Sequence, residues 1–309
     1  MRYTTLRLAA ITVVLMVFAA ACWKPELTPT YDVTVISDVV YGQGEVDGGG
    51  TFDDLMLDLY IPTVEGQDLF PLVVVIHGGG FTGGSKSGSK FVQWADGFAS
   101  RGYLVASIDY RLVGDDPIPS GPLQPIYDLL GGPSGPAQFI AALAAMEDTL
   151  AALDFLHARP DVEPLQTVLT GSSAGAITAL YVGYSMDDFG VERPPVSAVI
   201  SNWGGFAATP GNATAIEPDN GVILDPPYFY AEGPVFLAHA TGDATVSYSL
   251  SVDIADRADE VGHPYEFFTL DANVHGFDLF TTEFSPGVSV FQAQVDWLDS
   301  FMLGVAETP

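Results

Sequence analysis

PLVVVIH, residues 71–77, is an unbroken apolar run that ends on a polar residue, and YLVASIDY (103–110), LQTVLT (165–170), VSAVISNW (196–203), PVFLAHA (234–240) and PYEFFTL (264–270) follow at intervals with a similar character. A strand with one face in water alternates apolar and polar residues, whereas a continuous β-branched run suits a strand covered on both faces. Between these runs lie segments of helical character: SKFVQWADGFASRG, the Ala/Leu-rich AQFIAALAAMEDTLAALDFLHARP stopped by Pro160, AGAITALYVGYSM, a stretch near 247–261 and a last one near 288–304. Strands alternating with helices make βαβ units. Ahead of them, YDVTVISDVVYG and DLMLDLYIP flank the Gly-rich GQGEVDGGGTFD, the pattern of a β-hairpin. The expected fold class is α/β: a mostly parallel central sheet with a leading antiparallel hairpin and helices on both faces. With neither an internal repeat nor an interior linker in view, 33–305 reads as a single domain.

Within that span, 204–233 (GGFAATPGNATAIEPDNGVILDPPYFYAEG) lacks periodicity. A loop of this length inside a compact domain is usually functional or partly helical, and a small cap over a site is the expectation.

Acidic residues number 39 against 10 basic ones, so the phosphates of nucleic acid and the headgroups of an anionic membrane would be repelled. The N-terminus is of another kind. MRYTTLR is charged, LAAITVVLMVFAAA is apolar but shorter than a membrane span, and Cys22 follows directly. This reads as a signal peptide over 1–21. Cys22 after Ala19-Ala20-Ala21 resembles a bacterial lipobox, although Ala19 stands where that pattern has Leu. The resemblance implies a lipidated Cys22 on a short tether, 22–32, and export to the bacterial cell envelope; without lipidation the protein would be secreted or periplasmic. A single cysteine allows no intrachain disulfide and no cysteine-based zinc site.

Two motifs carry chemistry. Gly171-Ser172-Ser173-Ala174-Gly175 fits G-x-S-x-G between a strand and a helix. There the chain must turn sharply, with the central Ser173 held in a strained conformation and thrust out beside the amides of the new helix. Ser172 would then be a small filler in the turn. His77-Gly78-Gly79-Gly80-Phe81 follows PLVVVIH, and its glycines let the backbone pass close to a bound group with N–H groups aimed at it, as an oxyanion hole requires. A phosphate loop would need other spacings, which residues 79–86 do not satisfy.

Together these residues resemble the α/β-hydrolase fold, and within it the carboxylesterases and lipases with an HGGG motif, the hormone-sensitive-lipase-like group and its relatives. Asp109-Tyr110-Arg111-Leu112 is similar to that group's DYRL stretch. The resemblance covers nearly the whole chain after residue 33. It implies the chain order serine, acid, histidine. His275, in DANVHGF after PYEFFTL, fits the family's histidine loop, while His263 precedes that strand, at the wrong end of a parallel sheet. Asp243 in ATGDATV fits the acid, with Asp271 as its competitor; Asp253, Asp256 and Asp259 fall on a helix and read as a solvated face. His239 reads as structural and His157 as a charge at a helix end. The resemblance further implies an oxyanion hole from the amides of Gly79, Gly80 and Ala174, an acyl-enzyme on Ser173, and no metal or organic cofactor.

For the substrate pocket, the aromatics at strand ends or in the expected cap are Phe81, Trp203, Phe206 and Tyr228, though each could equally be ordinary packing. The expected partner is a small-molecule ester, short in its acyl chain because no hydrophobic lid helix stands out. Three rivals remain: a peptidase of the prolyl-oligopeptidase type, which would usually carry a propeller this chain has no room for; an amide hydrolase such as an arylformamidase; and a surface-anchored binding protein that kept the fold without catalysis.

Overall fold

The structure, a computed structural model, describes residues 30–192, 195–206 and 232–302. The expected signal peptide, Cys22, most of the tether, Tyr228 and nearly all of the expected cap lie outside the described residues.

Eight strands form one sheet: β1 (Val33–Val46), β2 (Thr51–Pro62), β3 (Phe70–Ile76), β4 (Leu104–Ile108), β5 (Val162–Ser172), β6 (Ala198–Asn202), β7 (Val235–Ala240) and β8 (Tyr265–Leu270). Their order is β1-β2-β4-β3-β5-β6-β7-β8. β2 runs antiparallel to both β1 and β4, and every pairing from β4 onward is parallel. The mixed sheet with a leading hairpin is therefore as expected.

Two apolar clusters sit on opposite faces of this sheet, and β3 shows why its sequence has no polar gap. Leu72, Val74 and Ile76 enter one cluster with α3 (Ala137–His157), α4 (Ala174–Tyr184) and α5 (Ser249–Val261). Val73 and Val75 enter the other with α1 (Ser89–Ala99) and α6 (Val290–Asp299). Side chains alternate across a strand, so only a strand packed on both sides can be apolar at every position.

Several local expectations shift. The turn expected over 42–53 tightens to 47–50, because Gly42 and Gly44 continue β1. At Gly44 the space a Cβ would need is filled by the Arg111 side chain. The Pro/Gly-rich stretch 114–136 contains a short helix, α2 (Gln124–Leu129), with Pro125 in its first turn, where a missing N–H costs nothing. The last helix begins at Val290, because Ser289 accepts a hydrogen bond from the Gln292 amide and caps it. Before it, β9 (Glu283–Ser285) and β10 (Val288–Ser289) form a small hairpin.

His157 ends α3, the helix-end position expected, but it is half-buried rather than on the surface. Its Nε2 lies 2.8 Å from the Thr167 hydroxyl, and burial lowers its pKa. His263, buried to 3% exposure, meets the Gly233 carbonyl at 3.1 Å, at the amino end of β8.

Candidate active site

The loops that leave the carboxyl ends of β3, β5, β7 and β8 converge on one point. In a parallel sheet this edge gathers the side chains that follow each strand, however far apart they lie in sequence. Ser173 follows β5 and caps α4 with φ 54° and ψ −120°. A non-glycine residue there is strained and persists only where its surroundings hold it. They do so here: the Ser173 amide donates to the Asn202 carbonyl at 3.0 Å, and its own carbonyl accepts from Ile177. Gly175 lies against β3, where a Cβ would collide with the carbonyl oxygens of Ile76 and His77.

His275 lies in the loop after β8. Its Nε2 is 2.9 Å from Ser173 Oγ, and its Nδ1 is 2.7 Å from Asp243 Oδ2. Asp243 follows β7 and is 8% exposed. Its Oδ1 accepts the amides of Thr245 and Val246, at 2.8 and 3.1 Å. Burial alone would raise the carboxyl; the hydrogen bond from His275 and those two amides outweigh it, and its pKa is lowered. Because a carboxylate only accepts, Nδ1 of His275 carries the hydrogen, which leaves Nε2 to accept from the serine hydroxyl. Asp271 lies elsewhere, bonded to the Thr241 hydroxyl at 3.3 Å.

The structure adds a second histidine. His239, on β7 and wholly buried, places Nε2 3.2 Å from the same Asp243 Oδ2 and 3.0 Å from the Val246 carbonyl. Both partners are acceptors, so Nε2 carries the hydrogen, and Nδ1 meets the Ser251 hydroxyl at 2.8 Å. Burial lowers the His239 pKa. The sequence reading of a structural residue is right in kind but misses its object, which is the carboxylate facing His275. The signal available in sequence was the four-residue spacing from His239 to Asp243.

The glycine loop after β3 is held from within. His77, 1% exposed, stacks on Tyr110 with ring centres 4.1 Å apart, and the Tyr110 hydroxyl donates to the His77 carbonyl. Asp109 accepts the Lys86 amide at 2.6 Å. Arg111 is buried against Asp148 and Glu147. The DYRL stretch thus braces the loop and its surroundings. Gly79 has φ +131°, and a Cβ on it would overlap the Gly83 carbonyl. The Gly80 carbonyl accepts from Gln138 of α3 at 2.8 Å, a brace that no sequence motif announces.

Two cavities flank the pair, one lined by Ser173 and the other by His275. One, of about 420 Å³, is bordered by Gly80, Phe81, Ser173 and Ala174 and walled by side chains such as Leu143 and Met146. The other, of about 440 Å³, is bordered by His275, Gly276, Trp203 and Lys90. Of the aromatics expected in a pocket, Phe81 lines the first cavity, at φ 61°, and Trp203 lines the second. Phe206 lines neither. It is buried edge-on against Tyr181 with ring centres 5.3 Å apart, so it supports the first cavity's wall from behind. Among the described residues, no group of three or more His, Cys, Asp or Glu is placed to hold a metal ion.

Comparison with known proteins bears on the fold. The BD-FAE family model, of an α/β-hydrolase esterase family, matches residues 57–124, which include the glycine loop and Asp109-Tyr110-Arg111. A thermophilic esterase of the planctomycete Thermogutta terrifontis, solved with propionate bound, superposes with a TM-score of 0.60 at 18% identity, covering 91% of this chain and 97% of that one. A truncated carbohydrate esterase from gut microbiota gives 0.57 at 16% identity, covering 89% and 98%. Among curated proteins, the non-reducing polyketide synthase atr1 of Stereocaulon alpinum is 30% identical over 152 residues, and Preu6 of Preussia isomera is 31% identical over 144. Those stretches are 49% and 47% of this chain but only 5% and 6% of the synthases. The chain has the α/β-hydrolase fold.

Proposed function

We propose that this protein is a serine hydrolase that cleaves carboxylic esters through an acyl-enzyme on Ser173. The observation that carries the reading is His275, which bridges Ser173 Oγ and Asp243 Oδ2 through its two ring nitrogens at 2.9 and 2.7 Å. A serine hydroxyl is a poor nucleophile until a base takes its proton. In the proposed first step Ser173 Oγ attacks the ester carbonyl carbon while its proton passes to His275 Nε2, and Asp243 stabilises the imidazolium that forms. The amides of Gly79, Gly80 and Ala174 receive the developing oxyanion; that of Ala174, in the first turn of α4, has no acceptor within its helix. His275 then gives its proton to the departing alcohol, and water repeats the sequence to release the acid.

The cavity bordered by Gly80, Ala174 and Ser173 is the proposed acyl site. Its apolar walls and volume suit an acyl group rather than a polymer. The Thermogutta esterase was solved with propionate and with butyrate, which favours a short acyl chain here as well. Residues 1–22 support the further proposal of export with a lipid on Cys22, which the mass of the mature N-terminal peptide would test.

The test is hydrolysis of p-nitrophenyl esters of graded acyl length, wild type beside Ser173→Ala, with the matching anilides run in parallel. Turnover that falls with chain length and vanishes in the variant establishes the esterase. Activity unchanged in Ser173→Ala refutes it, and anilides cleaved as fast as esters would make it an amidase.

A further inference from the structure

Lys90, the second residue of α1, borders the cavity on the His275 side. Its ammonium lies 3.1 Å from the hydroxyl of the buried Ser172. It also sits 4.8, 5.5 and 5.2 Å from the ring centres of Phe91, Trp94 and Trp203. Ser172 is therefore more than the filler its place in the turn suggests.

Among the described residues Lys90 makes no ion pair, in a chain with 39 acidic residues. By contrast Lys86, Arg111, Arg159 and Arg257 each hold a carboxylate. Its position is also unfavourable for a cation, because the N-terminal end of a helix carries partial positive charge and favours anions. No acidic residue stands in that first turn to offset it. The rings beneath it desolvate the ammonium and lower its pKa from the usual lysine value. A cation placed against the helix dipole, in no ion pair with a described carboxylate, stands at the border of a cavity whose one acidic side chain is Asp278. It is suited to meeting a charge that arrives from outside.

On the reading of Ser173 as nucleophile, the two cavities divide the substrate. The acyl group lies on the side of Gly80 and Ala174. The alcohol leaves on the side of His275, which must protonate it. We propose that the cavity bordered by Lys90 and His275 is a leaving-group subsite for alcohols that carry a carboxylate, with Lys90 as the residue that selects them.

A sugar alcohol is the less favoured occupant. Sugars stack on open aromatic faces, but Phe91, Trp94 and Trp203 are buried, at 6%, 2% and 2% exposure, with the lysine over them. The other polar side chains on this cavity are Ser89, Gln93 and Asp278. Asp278 is held to its loop through one oxygen, Oδ1, which accepts the amides of Phe280 and Thr281 at 2.8 and 3.2 Å.

The test uses two acetate esters of matched shape, para-carboxyphenyl acetate and para-carbamoylphenyl acetate, one anionic and one neutral. The quantity read is the ratio of their kcat/KM values in wild type, divided by the same ratio in Lys90→Met. General damage to the enzyme and differences in leaving-group reactivity cancel in this quotient. A charge-assisted contact predicts a quotient of about ten or more, carried mainly by KM, with Lys90→Arg recovering most of it. A quotient within about twofold of unity overturns the subsite, because a lysine that only packs against Ser172 would affect both esters alike. Lys90→Gln provides the same comparison should the Met variant not fold. Ser173→Ala separates the two levels of inference. Turnover that depends on Ser173 with a quotient near unity removes the Lys90 assignment alone, whereas turnover independent of Ser173 removes the esterase reading and the subsite with it.

Discussion

Asp243→Asn changes one atom and should disable the site. The carboxylate divides its work between its oxygens: Oδ1 takes the amides of Thr245 and Val246, and Oδ2 takes His275 Nδ1 and His239 Nε2. All four partners donate. An asparagine offers one acceptor and one donor group, so it must present an NH₂ to one of the two pairs. Facing the two backbone amides, the NH₂ would meet donors that cannot turn away. Facing the histidines costs less, because His275 can change tautomer. His275 would then accept from the introduced side-chain amide at Nδ1 and carry its hydrogen on Nε2, aimed at Ser173. In that form it cannot take the serine proton. In serine proteases this kind of tautomer lock lowers kcat by about 10⁴, and a loss of that order is expected here, with KM little changed. The opposed N–H of His239 and the loss of charge-assisted bonds should also reduce stability by about 1–3 kcal/mol. The assay is steady-state hydrolysis of p-nitrophenyl acetate beside urea unfolding of both proteins. An Asp243→Asn enzyme within tenfold of wild-type kcat would refute the tautomer argument and direct attention to another acid, with Asp271→Asn as the next variant to measure.

Other consequences follow from the same contacts. Gly175→Ala should cost at least about tenfold in kcat/KM, because the new Cβ must push α4 away from the carbonyls of Ile76 and His77 and displace Ser173; ester turnover against unfolding free energy separates this from simple destabilisation. Arg111→Met should destabilise the fold by about 3–5 kcal/mol in urea unfolding, since it strands the carboxylate of Asp148, which is 1% exposed. The lowered Asp243 pKa makes a stability contribution that is fully present above the ordinary carboxyl value of 3.8 and fades as pH falls through the folded value; the stability gap between wild type and Asp243→Asn, followed by unfolding at several pH values, should therefore narrow below about pH 4.

The order of elements, the doubly covered strands and the two glycine motifs were legible in the sequence because each rests on neighbouring residues. An apolar run such as PLVVVIH states that it is buried on both faces, and G-x-S-x-G states that a strand turns sharply into a helix. The candidate residues Ser173, Asp243 and His275 could be named from family order, but only the tertiary structure brings Ser173 within 2.9 Å of a histidine 102 residues away. Local patterning specifies what a segment does with its own backbone and carries no record of which distant side chain will face it. For that reason His239 against Asp243, Gln138 under Gly80 and Lys90 over its three rings were invisible beforehand, and Phe206 could not be told from a pocket residue. Each depends on the placement of loops and helices around a sheet whose strand order, β4-β3-β5 above all, departs from chain order. The chain's sequence determined the parts and the sharp turn that presents Ser173. The folding of those parts around one sheet edge decided which groups meet there.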